Sequence, residues 1–259
     1  MKKALALLFI PLLLLAGCSA NAQGDGLFQQ LVVSPMTHLL EFNAHLFNGN
    51  YGLSLILATL LVRFLLLPLM AKQYKSQAEM RIKMEKIKPE VTAIQAKMQK
   101  ATDMAEKSEL QQELMKLYQT QGINPLNMGC LPMLIQMPIL MGFYYAIQGS
   151  AEIATHSFLW FNLGESDIIM TLIAGAVYYL QFKMSLKQMP VEQQGQMKIM
   201  GLISPMMIMF VSFSAPAALP LYWSTGGLFL IAQNVLLRKK YNPKPVLIQS
   251  LQSEPSGKK

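Results

Sequence analysis

Apolar residues are grouped in long blocks along this chain, and the charged residues fall between the blocks. Residues 51–71 are apolar except for Arg63, and further apolar blocks cover 126–148 and 168–186. A helix rises about 1.5 Å per residue and the hydrocarbon layer of a bilayer is about 30 Å thick, so about twenty apolar residues cross it. Each of these blocks therefore predicts a transmembrane helix.

A fourth apolar block runs from 199 to 237 without a charge, about twice the length that one spanning helix needs. Pro216 and Pro220 lie in its middle, where proline ends a helix because it lacks an N–H donor. We predict two short spans here, 199–214 and 219–237, with the bilayer thinned around them or their ends in water. The predicted fold class is an all-α polytopic membrane protein with five transmembrane helices.

Residues 72–122 are rich in charge but contain two apolar stripes at helical spacing. The first stripe is Ile87, Val91, Ile94 and Met98, and the second is Leu110, Leu114 and Leu117. Two such stripes predict an antiparallel helical hairpin that Pro89 starts or kinks and that Gly122 ends. The hairpin is either a solvated spacer or a mobile contact for a partner.

Residues 27–47 form an amphipathic stretch that is interrupted at Pro35 and predicts an interfacial helix outside the membrane. His38, Glu41 and His45 share one face of this helix. Two histidines and one glutamate without a further ligand nearby do not form a recognised metal motif. We therefore predict no metal site and expect these side chains to lie at the lipid headgroup boundary.

The composition is that of a membrane protein, with 53% hydrophobic and 14% charged residues. Residues 1–17 combine two lysines with a short apolar run and predict a cleaved secretory signal peptide. The sequence Leu15-Ala16-Gly17-Cys18 resembles a bacterial lipobox. This resemblance implies a diacylglyceryl thioether on Cys18 and an acyl chain such as palmitate on its amino group; the alternative is an ordinary signal with an incidental cysteine. The second cysteine, Cys130, is expected to be a small core residue.

The basic residues predict the orientation of the chain. Outside the signal and apart from Arg63, all Lys and Arg fall in three regions, 72–116, 183–198 and 238–259. The positive-inside rule places these regions in the cytoplasm. Segment 18–50 and loop 149–167 are then external, loop 187–198 and tail 238–259 are internal, and a lipid on Cys18 requires the same orientation. We predict a multi-pass protein of the plasma membrane.

The basic tail offers cations to anionic lipid headgroups or to ribosomal RNA phosphates. Only Tyr241 accompanies the tail's cations as an aromatic, so no sequence-specific nucleic-acid binding is predicted.

Arg63 is the least expected residue in the chain. A charge at the centre of a spanning helix costs from about 3 to more than about 10 kcal/mol, and no Asp or Glu occurs in any predicted span. An arginine that cannot lose its proton predicts water around it, an anionic ligand, or both. The alternative is a cation held by polar side chains and carbonyl groups of neighbouring helices.

Further polar or amphipathic side chains lie sparsely in the predicted spans, among them Gln136, Gln181, Trp223 and Thr225. Such residues commonly hydrogen-bond neighbouring helices. Together with Arg63 they are candidates to line a wet groove open to the cytoplasm. No nucleophile elbow, Walker loop, paired intramembrane aspartates or dense metal cluster occurs in the sequence, so no enzyme activity and no cofactor beyond the covalent lipid are predicted.

Three stretches resemble the YidC/Oxa/Alb family of membrane protein insertases, in its lipoprotein form from bacteria without a second membrane. The first is NPLNMGCLPMLIQMPILMGFYYAI from Asn124 to Ile147, and the second is the Pro-Ala…Leu-Tyr-Trp pattern from Pro216 to Gln233. The third is Arg63 followed by Leu67-Pro68-Leu69. The matches occur in the family's order and cover nearly the whole mature chain.

The resemblance implies five spans around a hydrophilic groove that is closed toward the outside. In that picture Arg63 attracts acidic residues of a substrate, and Gln181 and Trp223 match groove-facing positions. The implied function is that of an insertase and folding chaperone for integral membrane proteins, including some lipoproteins. The implied partners are nascent membrane proteins, the Sec translocon and, through the cytoplasmic loops or the tail, the ribosome.

Two alternatives stay open at this point. The first is a small anionic-solute transporter or channel that uses Arg63 as its anion site. No inverted repeat and no second intramembrane ionisable group is visible in the sequence, which counts against coupled transport. The second is a lipoprotein scaffold without translocation activity, which would not need Arg63.

Overall fold

The computed structural model describes residues 26–123, 130–186 and 191–241, without the side chains of 130–135, 191–197, 199 and 200. The described chain forms two compact units. Unit 1 contains residues 26–67, 133–186 and 191–234, and unit 2 contains 68–123, 130–132 and 235–241. Cys18, the loop at 187–190 and the tail beyond 241 lie outside the described residues, so the predictions for them stay predictions.

The described elements are nearly all helices. In chain order they are a π-helical turn at Gln29–Val33, then α1 (Ser34–Leu46), α2 (Tyr51–Lys86), α3 (Lys88–Lys100), α4 (Met104–Thr120), α5 (Cys130–Gln148), α6 (Ala151–Ala154), α7 (Ile168–Leu186), α8 (Val191–Ser214) and α9 (Ala218–Tyr241). Two short strands, β1 (Ser157–Phe158) and β2 (Phe161–Asn162), stand between α6 and α7. Helices α8 and α9 separate where the prolines of the long apolar block predict a break.

The strands form a small antiparallel hairpin that the sequence reading missed. Ser157 pairs with Asn162 and Phe158 pairs with Phe161, so only two residues form the turn. Each strand has two residues, which is too short for an alternating pattern of apolar and polar positions to be recognised. The backbone after the hairpin holds the start of α9, since the carbonyl groups of Glu165 and Leu163 accept hydrogen bonds from Ala217 N and Ala218 N at 2.7 and 3.0 Å.

The core of unit 1 joins α1 to the predicted spans. Its fully buried side chains include Leu40, Leu55, Phe143, Ile153, Leu163 and Tyr222. The hydroxyl of Ser54 in α2 donates to the carbonyl of Leu40 in α1. Gly142 in α5 lies so near this segment that a Cβ there would be 2.8 Å from Cγ1 of Val32 in the π-helical turn and 3.3 Å from Cγ of Met36 in α1. Helix α1 is therefore packed onto α2 and α5 along one side.

The other side of this N-terminal helical segment is largely apolar, and no described residue covers it. Leu27, Leu31, Phe42 and Leu46 are all more than 60% exposed and follow one helical face. One prediction about this segment is wrong, because the helix is not interrupted at Pro35. The proline occupies the first turn of α1, where a backbone N–H would have no partner within the helix. The helical path continues through the π-helical turn immediately before α1.

Unit 2 contains the predicted cytoplasmic hairpin. Helices α3 and α4 are joined by three residues, and Asp103 caps α4 by accepting a hydrogen bond from Ala105 N at 3.3 Å. The predicted stripes meet, with Val91, Ile94 and Leu110 buried. Gly122 takes φ +61° after α4, a conformation that favours glycine.

Length and apolar composition identify two described helices that are able to cross a membrane, α2 and α7, and a shorter apolar helical segment at Gly201–Ser214. Helix α2 continues to Lys86, well beyond the predicted span 51–71. The helical architecture agrees with the predicted fold class, while the count of five spans stays a prediction.

Candidate functional site

Arg63 lies in unit 1 on α2 and its side chain is half-buried against α9. A Cβ built on Gly226 of α9 would lie 2.8 Å from Nη2 and 3.3 Å from Nε of Arg63. Real Cβ atoms essentially never come that close to another heavy atom. The absence of a side chain at Gly226 therefore creates the space that the guanidinium occupies.

Two tyrosine hydroxyls lie within electrostatic range of this guanidinium, those of Tyr178 in α7 and Tyr222 in α9. The amide nitrogen of Gln136 in α5 donates a hydrogen bond to the Tyr222 hydroxyl. Because the Tyr222 oxygen accepts this bond, its own proton remains available to another acceptor. Four helices thus contribute to one polar cluster, which we call the Arg63 cluster: Arg63, Gln136, Tyr178, Tyr222 and Gly226.

The cluster holds a positive charge without a negative one. Ion pairs among the described residues join His38 to Glu41, Lys75 to Glu79 and Lys88 to Glu85. None of these pairs involves Arg63. The guanidinium of Arg63 also donates no hydrogen bond to another described residue. Guanidinium and hydroxyl groups are hydrogen-bond donors suited to a carboxylate or phosphate.

The other predicted groove residues have different surroundings. Gln181 lies one helical turn beyond Tyr178 on α7, and its amide oxygen is buried without a hydrogen-bond donor among the described residues. Thr225 is half-buried on α9. The structure therefore brings Gln136 to Arg63 through Tyr222 and places Gln181 one turn from Tyr178.

Trp223 lines a separate cleft of about 560 Å³ in unit 1. Its neighbours there are Tyr144 and Gln148 of α5, Val211 of α8, and Ala215 and Pro216 at the bend before α9. The indole is only 6% exposed and belongs to the core of the unit. Tyr222, next to it in the chain, packs its ring 5.2 Å from that of Phe143 and directs its hydroxyl toward the Arg63 cluster.

Sequence reasoning missed Tyr178, Tyr222 and Gly226 as members of the site. A signal existed for two of them: Tyr222 lies within the Leu-Tyr-Trp pattern, and Gly226-Gly227 is a pair of small residues in a span, which permits close helix contact. Gly227 provides that contact, since a Cβ there would lie 2.6 Å from Cγ1 of Val177. Nothing in the pattern of α7 distinguishes Tyr178 from the adjacent Tyr179.

The face of α1 with two histidines shows a simple contact. Nδ1 of His38 lies 3.5 Å from a carboxylate oxygen of Glu41, and both side chains are exposed. Their spacing of three residues is that of an exposed pair on a helix.

The chain is similar to known membrane proteins in sequence and in fold. Residues 42–244 match the model of the family described as 60Kd inner membrane protein. The chain is 49% identical over 245 residues to membrane protein insertase YidC 2 of Listeria monocytogenes, covering 94% of this chain and 89% of that protein. It is 47% identical over 255 residues to membrane protein insertase MisCB of Bacillus subtilis, covering 91% and 93% respectively.

A crystal structure described as an active YidC insertase with its first transmembrane domain resolved has a similar fold. The TM-score is 0.58 at 24% identity, over 85% of this chain and 48% of that one. The chain therefore belongs to the 60 kDa inner membrane protein family, the YidC/Oxa1 family, and the predicted resemblance is confirmed. The prediction that it is not an enzyme is confirmed as well, because the family consists of insertases.

Proposed function

We propose that this chain is an insertase and folding chaperone for integral membrane proteins in the plasma membrane, alone or beside the Sec translocon. Its named relatives from Listeria and Bacillus are membrane protein insertases, and they match along nearly their whole length. The observation that supports a mechanism is the Arg63 cluster, in which a half-buried guanidinium lies against Gly226, within electrostatic range of two tyrosine hydroxyls, and has no ion pair with a described carboxylate.

In this mechanism a carboxylate of the substrate supplies the missing negative charge. The attraction between unit charges about 4 Å apart grows from about 1 kcal/mol in water to about 4 kcal/mol at an effective dielectric constant near 20. An acidic residue that precedes an apolar segment is therefore drawn toward Arg63 from the cytoplasm. The hydroxyls of Tyr178 and Tyr222 donate hydrogen bonds to the same carboxylate.

The substrate also has to leave the site again. A single guanidinium in a hydrated groove binds a carboxylate only transiently, whereas a dry ion pair would retain it. Water in the groove and a thinned bilayer at the short predicted spans 199–214 and 219–237 would both shorten the apolar path of the translocated tail. The apolar segment of the substrate then moves into lipid while its tail crosses.

The remaining predicted parts have supporting roles in this proposal. The lipid on Cys18 and the exposed apolar face of α1 hold the external segment at the membrane surface. The hairpin of α3 and α4 and the basic tail offer cytoplasmic contacts for the ribosome that delivers a nascent membrane protein.

The test is insertion of a single-span substrate with an acidic external tail into liposomes that contain the purified chain. Losing a charge-assisted hydrogen bond of about 1.5–3 kcal/mol corresponds to an about ten- to hundredfold effect. We expect Arg63→Ala to slow insertion by that factor, and Arg63→Lys to retain more activity than Arg63→Glu. The matched control is the same substrate with a neutral tail, whose insertion should change much less.

Insertion of the acidic-tail substrate at an unchanged rate in Arg63→Ala would contradict the role of the guanidinium. Flux of a small anion without any insertion would instead support the alternative function, an anionic-solute transporter or channel. The liposomes are therefore assayed for both activities.

A further inference from the structure

The external β-hairpin of unit 1 exposes apolar side chains at its tip. Leu159 and Trp160 form the turn and are 73% and 51% exposed. Phe158 and Phe161 on either side of them are buried. The hairpin is thus held by its flanking phenylalanines, while the tip projects away from the core.

The backbone of the tip is strained in order to present these side chains. Leu159 has φ +56°, a region that side chains other than Gly, Asn and Asp rarely adopt. An Asn would serve the turn better, and a bulky apolar residue in this conformation indicates that the side chain itself has a use.

The position of the tip is tied to the outer ends of two helices that are able to span a membrane. Phe158 packs against Gly52, in the first turn of α2, so closely that no Cβ fits there. Nε1 of Trp160 donates to Oδ1 of Asp167 at 3.3 Å. The same oxygen caps α7 by accepting from Met170 N at 2.6 Å. The tip therefore lies level with the first turn of α7.

The apolar surface continues from the tip onto α7. Ile168, Ile169 and Leu172, all in the first turns of the helix, are more than half exposed. A side of a spanning helix that protein does not cover faces lipid, and tryptophan at the end of a span favours the headgroup boundary. The patch formed by Leu159, Trp160, Ile168 and Ile169 is thus continuous with the lipid-facing side of α7.

We propose that Leu159 and Trp160 insert into the outer-leaflet interface of the bilayer as an anchor for the external loop. The partner of this surface is lipid. No Lys or Arg occurs in residues 117–182, so the attraction is apolar and does not require anionic headgroups. The proposal depends on α7 crossing the bilayer and is independent of the role of Arg63.

Tryptophan fluorescence tests the anchor, since the chain contains only Trp160 and Trp223. The full chain is reconstituted in phosphatidylcholine vesicles with a nitroxide either near the glycerol end or near the methyl end of the acyl chains. The contribution of Trp160 is the difference between the unsubstituted chain and Trp160→Phe, so no change to the buried Trp223 is needed. We expect quenching several-fold stronger from the shallow nitroxide, weak quenching by aqueous iodide, and the same result after adding phosphatidylglycerol.

Leu159→Asn is the matched variant, because Asn tolerates φ +56° and keeps the turn while it removes the apolar side chain. An anchor predicts a loss of lipid quenching and a gain of iodide quenching at Trp160 in this variant. A purely structural role predicts no change at Trp160 and higher thermal stability. That result would overturn the proposal, as would strong iodide quenching of the unsubstituted chain or protection of Trp160 from both quenchers.

Discussion

Gly226 determines where the guanidinium of Arg63 lies, because glycine has no side chain. The guanidinium of Arg63 occupies the space that a side chain at Gly226 would fill. The adjacent Gly227 makes a contact of the same kind with Val177, which has no charge. Substitutions at the two neighbouring glycines therefore distinguish two effects of close packing: the position of a charge at Gly226 and the stability of a helix contact at Gly227.

We expect Gly226→Ala to displace the guanidinium of Arg63. The guanidinium is the flexible end of a long side chain, so it moves more readily than a helix backbone. Insertion of a substrate with an acidic tail should then fall toward the level of Arg63→Ala, while a neutral-tail substrate is affected less. Combining Gly226→Ala with Arg63→Ala should add nothing further. The measurement is the ratio of the two insertion rates.

Gly227→Ala is the control for this prediction. Its Cβ meets Val177, so it should overpack the contact of α7 with α9 at a cost of about 1–3 kcal/mol and lower both insertion rates in proportion. An equal ratio of rates in the two alanine variants would show that Gly226 serves packing alone.

The residues of the site were only partly predictable from the sequence. Arg63 is conspicuous because it is the one charge in an apolar block, and Gln136 is polar in a similar block. Tyr178 resembles an ordinary span residue, and its closeness to Arg63 depends on the rotation of α7 about its axis. A linear pattern does not specify that rotation where every face of a helix is apolar.

Among the secondary-structure elements, the amphipathic helices were predicted most accurately. The stripes of α3 and α4 are buried against each other as expected, because charged residues surround them and leave one apolar face. The β-hairpin escaped notice because two-residue strands have no period. The irregularity at Pro35 was placed correctly in the chain, but it takes the form of a π-helical turn rather than a break.

The hairpin of α3 and α4 should respond to a core substitution independently of the spans. Ile94 is 6% exposed and packs with Leu110, so Ile94→Ala should destabilise the hairpin by about 2–5 kcal/mol. Hydrogen exchange across residues 88–120 should then accelerate while exchange in α7 stays unchanged. Gln95→Ala, an exposed change on the same helix, is the control and should leave both regions unaffected.

The same exchange measurement distinguishes the two roles left open for this hairpin. A mobile contact for a partner should exchange much faster than the spans even without a substitution, whereas a rigid spacer should be protected along its buried stripes.

At the level of the whole molecule, the distribution of charge predicts the orientation in the membrane. With Cys130 replaced by Ala and Cys18 occupied by its predicted lipid, a cysteine introduced at Glu165 or at Lys107 tests one side each, since both positions are exposed. A membrane-impermeant maleimide applied to intact cells should label the cysteine at 165, and the one at 107 only after lysis. Labelling of 107 in intact cells would contradict the predicted topology.

The linear order of residues was enough to predict the membrane class, the break before α9, the helical hairpin and the anomaly at Arg63. These features depend on local composition, on the helical period and on the free-energy cost of a charge in lipid. All three can be evaluated from the order of residues alone. The Arg63 cluster and the exposed tip of the β-hairpin depend on the tertiary structure. Both arise from backbone approach at a glycine, Gly226 in one case and Gly52 in the other, and such contacts join residues that are distant in sequence.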